Sequence, residues 1–351
     1  MAVFDHPEFD HHEQVLFCHD AATGLRGIIA IHSTALGPAA GGCRVYPYAT
    51  LDDALTDVLR LSRGMSYKNA LADLPLGGGK GVIVADASDP NKAELLRAFA
   101  RHVQSLGGRY WTAIDVGIGP ADADILAEEC DYVFTRASQY PDGFNPAHFT
   151  ALGGFVGIRA VAKHVFGRDD LEGLRVAVQG LGNTGADLCR RLHEAGAVLT
   201  VADVNEDAVR SVVEAYGATV VDPAEIHAAD VDVFAPCALG AVLNDETIPQ
   251  IQAKAVSGLA NNQLAEPRHG AELRDRGVTY VPDYVVNAGG IMGSSTVIFT
   301  TPNREESIRR IEGLYDTILE ILGQAEAENR PPSEVADELA RARMAGVHAE
   351  R

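Results

Sequence analysis

The chain of 351 residues, 46% hydrophobic and 22% charged, is long enough for two domains that each bury a core. Forty-nine acidic residues against twenty-nine basic ones leave a formal charge of -20, which repels phosphate backbones and anionic lipid surfaces and argues against nucleic acid or membrane as partner. The first residues lack a basic stretch leading into an apolar run, no segment approaches the roughly eighteen apolar residues of a membrane span, and five scattered cysteines (Cys18, Cys43, Cys130, Cys189, Cys237) form no CxxC pair. A cytoplasmic protein without disulfides or a zinc site is expected.

In chain order, LRGIIAIHS (25–33) and KGVIVAD (80–86) are short, rich in branched residues and bounded by turns, as buried strands are. Helical spacing runs through LDDALTDVLRLSRGM (51–65) and KAELLRAFARHVQSL (92–106), so the first part reads as α/β. The polar, glycine- and proline-bearing SQYPDGFNPAH (138–148) is the predicted linker. A helix begins near residue 150, followed by strand 174–180, helix 185–196, strand 198–203, helix 205–217 and strand 230–238, with short strands in 255–260 and 278–285. That run predicts a doubly wound parallel sheet. Residues 304–326 form one amphipathic helix on this reading and 333–346 a second, after the break at Pro331 and Pro332; both are expected to pack back on the first domain. The expected organisation is a first domain over 1–140, a nucleotide-binding domain over 145–303, and returning helices over 304–351.

VAVQGLGNTGADL sets Gly180, Gly182 and Gly185 in G-x-G-x-x-G spacing after a strand and at the start of a helix, with Asp203 closing the next strand. The glycines admit the turn, the approach of a pyrophosphate and close helix packing, with the phosphates at the helix's positive end. Asp203 suits ribose hydroxyls and repels a 2′-phosphate, which favours NAD over NADP. Leu181, Asn183, Thr184 and Val204 belong to the same expected cofactor surface.

Only five of the twenty-nine basic residues are lysines, and Lys68 and Lys80 stand together in GMSYKNALADLPLGGGKGVI. Lysine, unlike arginine, serves where a removable proton is needed. GGGKG (77–81) lacks the glycine spacing and the hydroxyl of a phosphate loop. The better reading puts Lys80 beside Asp115 of YWTAIDVGIG, where a second lysine and burial would ease loss of its proton, although such a trio also occurs as a plain ion pair. His6, His11 and His12 lie in an acidic segment expected to fray, with no metal implied, and Cys43 reads as a small packed thiol.

LGPAAGGCR (36–44), the two-lysine segment, the Asp115 segment, VQGLGNTG (178–185), APCALGAVLND (235–245), LANNQL (259–264) and PDYVVNAGG (282–290) together resemble the amino-acid dehydrogenases, on the leucine, valine and phenylalanine branch, from about residue 12 to about 345. The resemblance implies NAD-dependent oxidative deamination, with two domains closing over an L-amino acid. It implies Lys80 as general base toward water, Lys68 at the substrate carboxylate with Gly41, Gly42 and Asn262, Asp115 as proton shuttle, and Thr150, Cys237, Ala238 and Asn261 at the cofactor. It implies a homo-oligomer, dimer or octamer. The substrate side chain would meet Ala40, Met65, Ala113, Ile291 and Ser294, none cationic, so an apolar amino acid is implied over glutamate. Small Ala40 and Ser294 resemble the phenylalanine enzymes, whereas APCALGAVLNDETIPQ is closer to the leucine enzymes. The competing readings are a hydroxy-acid dehydrogenase, which does not need the two lysines and Asp115, and a catalytically silent NAD-binding module.

Overall fold

Residues 3–139, 145–300 and 303–348 are described by the computed structural model. The chain divides into two units, the first comprising Met1–Asn145, Val297–Thr301 and Ala340–Arg351, the second Pro146–Thr296 and Pro302–Leu339.

The first unit runs β1 (Gln14–Asp20), β2 (Leu25–Ser33), β3 (Ala39–Ala40), β4 (Cys43–Tyr46), α1 (Leu51–Leu71), β5 (Gly77–Val84), α2 (Lys92–Ser105), β6 (Tyr110–Trp111) and α3 (Pro120–Ala127). Its sheet is mixed, ordered β1-β2-β5-β3-β6 with β4 also paired to β5. Side chains alternate across a strand. Ile28, Ala30 and Val82 therefore pack against Ala54, Leu55, Val58 and Leu59 of α1 on one face. On the other, Ile29, Ile31 and Ile83 meet Leu96, Phe99 and Val103 of α2. Thr50 and Asp53 close α1 with a reciprocal capping box.

Two boundaries differ from the expectation, and both bear on the lysines. The α1 helix continues past Met65 to Leu71, because Ser66, Tyr67, Asn69, Ala70 and Leu71 are all buried, so burial outweighs the weakness of Gly64. Strand β5 starts at Gly77 rather than Lys80, and the glycines that read as a loop are strand interior. The reason is close approach: a Cβ on Gly78 would lie 2.1 Å from the Ser66 amide nitrogen of α1.

The N-terminal segment is also packed rather than frayed. His6 and His12 are each 6% exposed. The Asp10 amide donates to His12 Nδ1 at 3.1 Å, which leaves His12 Nε2 as donor toward the Leu59 carbonyl and Ser62 Oγ, both at 3.0 Å. The His32 ring lies edge-on to His12 at 4.9 Å, with its Nδ1 2.8 Å from Ser66 Oγ and its Nε2 3.7 Å from Asp10.

The second unit holds α4 (Ala147–Phe166), β7 (Arg175–Gln179), α5 (Asn183–Glu194), β8 (Val198–Ala202), α6 (Glu206–Tyr216), β9 (Thr219–Val220), β10 (Val233–Pro236), β11 (Ala255–Val256), α7 (His269–Asp275), β12 (Thr279–Tyr280), α8 (Asp283–Val286), α9 (Gly289–Ser294), α10 (Arg304–Glu312), α11 (Leu314–Glu328) and α12 (Pro332–His348), whose last residues belong to the first unit. The sheet, β12-β11-β10-β7-β8-β9, is parallel throughout. Strand order reverses between β7 and β10, the switch point at which doubly wound sheets bind ligands. Of the expected linker, residues 140–144 lie outside the described residues.

The helix expected over 304–326 is interrupted at Gly313, one of its two glycines, giving α10 and α11. Both belong with the second unit, where Tyr315 of α11 lies under the Arg159 guanidinium of α4. The return to the first unit begins at Ala340 instead of residue 304. There Arg343 donates to the Ala70 and Leu71 carbonyls at 3.2 and 3.1 Å, at the end of α1 where a cation is favoured.

Burial, and then the neighbouring His12 and Arg63, push His32 down from 6.5 to about 4, with Asp10 opposing; burial also lowers His12. A histidine held neutral in the fold takes up protons more readily when unfolded, so stability is lost as pH falls below about 6.5 toward 4. Thermal melts between pH 7.5 and 4.5 should show a falling Tm in this window, and His32→Gln should flatten the slope. A slope unchanged by that substitution would remove His32 as its source.

Candidate active site

The chemistry-bearing side chains of the first unit are carried by β4, β5, the segment after β6 and α1. Asn69 of α1 donates to the Gly77 carbonyl at 2.6 Å, which fixes the register of the helix that carries Lys68 against the strand that carries Lys80. Lys68 is half-buried in the last turn of α1, three residues beyond the half-buried Met65. Lys80 is 5% exposed, and its Nζ stands 3.0 Å from Asp115 Oδ2.

Asp115 follows β6 on a segment pinned at each step. The Cys43 amide donates to the Ala113 carbonyl at 2.8 Å, the Ile114 amide to Thr135 Oγ1 at 3.0 Å, and the Ile118 amide to the Asp115 carbonyl at 2.9 Å. Burial alone would raise the Asp115 carboxyl, but the charges of Lys80 and Arg44 outweigh it and hold the group below the usual carboxylate range. It is therefore ionised at neutral pH. Cys43 is fully buried, which pushes its thiol up and leaves it a packing residue.

The Gly41 amide is donated to the Trp111 carbonyl at 3.1 Å. The Gly42 carbonyl accepts from the Gly81 amide at 3.2 Å. Ala40 and Ala113 are buried. The sequence reading missed Arg44, whose Nε lies 2.8 Å from Asp115 and whose Nη1 lies 2.8 Å from Asp57, and it missed Tyr48, which donates to Asp57 at 2.5 Å. The only signal was the position of Arg44 at the end of GGCR, two residues after Gly42.

In the second unit the glycine-rich turn leaves β7 and enters α5 at the switch point. Gly185 must be glycine, since a Cβ there would lie 1.9 Å from the Gly180 carbonyl oxygen. Gly182 is different: a Cβ there would meet nothing within 4 Å among the described residues, and no side chain caps α5. The open space and uncapped helix start fit a pyrophosphate held by the amides of Asn183 and Thr184. Asp203 is committed on both oxygens, accepting from the Leu181 amide at 2.5 Å and from the Asn205 amide at 2.8 Å. It thus holds the turn, and Val204 beside it is 90% exposed.

The loops after β10 and β11 bring further expected residues to the same sheet edge. Cys237, whose thiol burial pushes up to about 12, donates its amide to the Gln179 carbonyl at 2.7 Å and is followed by the exposed Ala238. Asn262, at φ 53°, donates its amide to Asp283 at 2.9 Å, and the neighbouring Asn261 accepts from Asn287 at 2.9 Å. Asp283 and Asn287 were passed over within PDYVVNAGG. Thr150 of α4 lies against Gly290 of α9, where a Cβ would come within 2.6 Å of its Oγ1. Ile291 is half-buried, and the buried Ser294 donates its hydroxyl to the Gly290 carbonyl at 2.7 Å.

One other cluster, Asp245, His269 and Glu272, has the residue types of a metal site. Its histidine accepts the Glu266 amide on Nδ1, so the proton sits on Nε2 and points at Asp245, and Arg268 already bridges Asp245 to Glu272. The cluster is satisfied as a salt-bridge network.

Comparison with known proteins agrees with this arrangement. Residues 12–132 match the Glu/Leu/Phe/Val dehydrogenase dimerisation domain, and residues 201–298 match the Glutamate/Leucine/Phenylalanine/Valine dehydrogenase domain. The chain is 48% identical to a leucine dehydrogenase of Geobacillus stearothermophilus over 98% of its own length and 94% of that protein. It is 44% identical to a valine dehydrogenase of Streptomyces albus over 99% and 96%. The crystal structure of L-tryptophan dehydrogenase from Nostoc punctiforme superposes with a TM-score of 0.84 at 43% identity, covering 96% of this chain and 97% of that one. With both folded units and nearly the full length matched, the chain belongs to the Glu/Leu/Phe/Val dehydrogenase family, on its leucine branch.

Proposed function

We propose that the chain catalyses the NAD-dependent oxidative deamination of an apolar L-amino acid to the 2-oxo acid and ammonia, and the reverse reductive amination. The observation that carries the reading is the buried Lys80 beside an ionised Asp115, in a chain that matches amino-acid dehydrogenases over nearly its whole length.

The roles follow from charge and position. Lys68 holds the substrate carboxylate as a fixed cation, with Asn262 assisting. Asp115, kept ionised, accepts a proton from the substrate ammonium, so that the nitrogen lone pair is free when Cα gives up its hydride. NAD, when bound, supplies the hydride acceptor; Gly180, Gly182, Gly185, Asn183, Thr184 and Asp203 would hold its phosphates and adenosine ribose, and Thr150, Cys237, Ala238 and Asn261 its nicotinamide side. Lys80 then takes a proton from the water that attacks the imine carbon, and returns one as ammonia leaves.

Among Ala40, Met65, Ala113, Ile291 and Ser294, which the resemblance assigns to the substrate side chain, none is cationic. A glutamate side chain would lose its hydration without gaining a partner, at a cost of about several kcal/mol. A few methylenes change discrimination by only about 1–3 kcal/mol, so leucine, valine and phenylalanine all fall within reach. The match of residues 12–132 to a dimerisation domain supports a homo-oligomer, and five free cysteines, four of them buried, suit a reducing cytoplasm.

The first test is NADH formation at mildly alkaline pH with L-leucine, L-valine, L-phenylalanine, L-tryptophan and L-glutamate. Oxidation of apolar members and not of glutamate is expected; an enzyme selective for glutamate, or inert toward the whole panel, would overturn the reading. Lys80→Ala should lower kcat by about 10²-fold or more while NADH binding stays within about twofold, and retention of more than roughly a tenth of the activity would overturn the general-base role. Asp203→Ala should weaken NADH by about tenfold or more, as expected for hydrogen bonds to a charged group, and narrow the preference for NADH over NADPH. Fluorescence titration with both nucleotides measures this, and an unchanged preference would remove Asp203 from the ribose site.

A further inference from the structure

Arg44 lies on β4 opposite Val82 of β5, and Lys80, two residues before Val82, projects from the same face of the sheet. Both cations converge on one atom, Asp115 Oδ2, with Arg44 Nε at 2.8 Å and Lys80 Nζ at 3.0 Å. Asp115 Oδ1 accepts no hydrogen bond from the described residues. The Arg44 guanidinium is anchored at its far side by Asp57 Oδ2 of α1 at 2.8 Å, and Tyr48 donates to that same oxygen at 2.5 Å. Arg44 is only 16% exposed, so this chain of contacts is largely shielded from water.

We propose that Arg44 is a positioning residue that aims the Asp115 carboxylate and sets the pH range in which Lys80 serves as base, with Asp57 and Tyr48 holding Arg44 in place. The inference rests on the reading of Lys80 as general base. A lysine that gives up its proton during turnover leaves Asp115 without that cation, whereas arginine keeps its charge throughout. Arg44 therefore keeps one cation against Asp115 and its carboxyl group directed at every stage, with Oδ1 left for the substrate nitrogen. It also draws on the same Oδ2 lone pairs that face Lys80. Asp115 consequently holds the Lys80 proton less tightly than an unshared carboxylate would, and the Arg44 charge itself opposes a second positive charge close by. Removing Arg44 acts twice in one direction, toward a lysine that stays protonated.

The test is the pH profile of kcat/KM for the full-length enzyme as wild type, Arg44→Met, Arg44→Lys and Asp57→Asn, with far-UV circular dichroism and NADH binding as checks on folding. Arg44→Met should move the acid limb up by about one pH unit or more, the scale on which a neighbouring charge acts. Arg44→Lys should restore most of the wild-type limb, and Asp57→Asn, which loosens the anchor, should give a smaller shift in the same direction. A folded Arg44→Met enzyme whose rate is lower by the same factor at every pH would mark a merely structural arginine and overturn the proposal. If Arg44→Met does not fold, Asp57→Asn decides, an unmoved limb overturning the proposal and an upward shift supporting it. An inactive wild type, or an active Lys80→Ala, brings down the reading of Lys80 and this inference together; an active wild type whose limb survives the loss of Arg44 brings down this inference alone.

Discussion

Everything in the first unit that concerns chemistry depends on how closely α1 approaches β5. At Gly78 the strand comes so near the helix backbone that no side chain fits between them, and Asn69 ties the two together through the Gly77 carbonyl. That contact sets the height of the helix over the sheet and the register along it. Lys68 and Lys80 are then presented by two rigid elements whose separation has no slack, which catalytic geometry requires. The three consecutive glycines are therefore a packing device inside a strand.

A second constraint is electrostatic. A carboxylate as buried as Asp115 would ordinarily take up a proton, and two cations on one of its oxygens prevent that. One of them sits on the neighbouring strand and is fastened to α1 through Asp57. The helix that carries Lys68 is thus connected to Asp115 by a continuous chain of charged hydrogen bonds. In the second unit the corresponding economy is at Asp203, a single carboxylate that orders the glycine-rich turn through the Leu181 and Asn205 amides.

Much of this was legible in the sequence where the signal is local. Strand β2 falls at the predicted Leu25–Ser33 because branched residues run unbroken between turns, and the G-x-G-x-x-G turn lies between β7 and α5 because strand, glycines and helix adjoin in the chain. Long-range facts were not legible. Arg44 meets its two carboxylates across 13 and 71 residues, and its place in GGCR does not disclose them. His6 and His12 were misjudged because an acidic, histidine-rich segment reads as solvated, whereas the Leu59 carbonyl and Ser62 hydroxyl that meet His12 belong to a helix some fifty residues on. The glycines of β5 read as a loop because propensity counts a residue's own preferences and not the neighbour that forbids a side chain.

The α1 helix carries Asp57 and Lys68 eleven positions apart, which in an α-helix of about 3.6 residues per turn is close to three whole turns. The two side chains therefore leave the helix in nearly the same direction, and the helix works as a ruler with both marks on one edge. One residue gained or lost between them would turn one mark about 100° away from the other. Substitutions on the outer side of this stretch leave the ruler intact, but a change in its length does not. A residue inserted or deleted between Asp57 and Lys68 would therefore break this geometry, whereas one in the turns at either end of the helix would leave it standing.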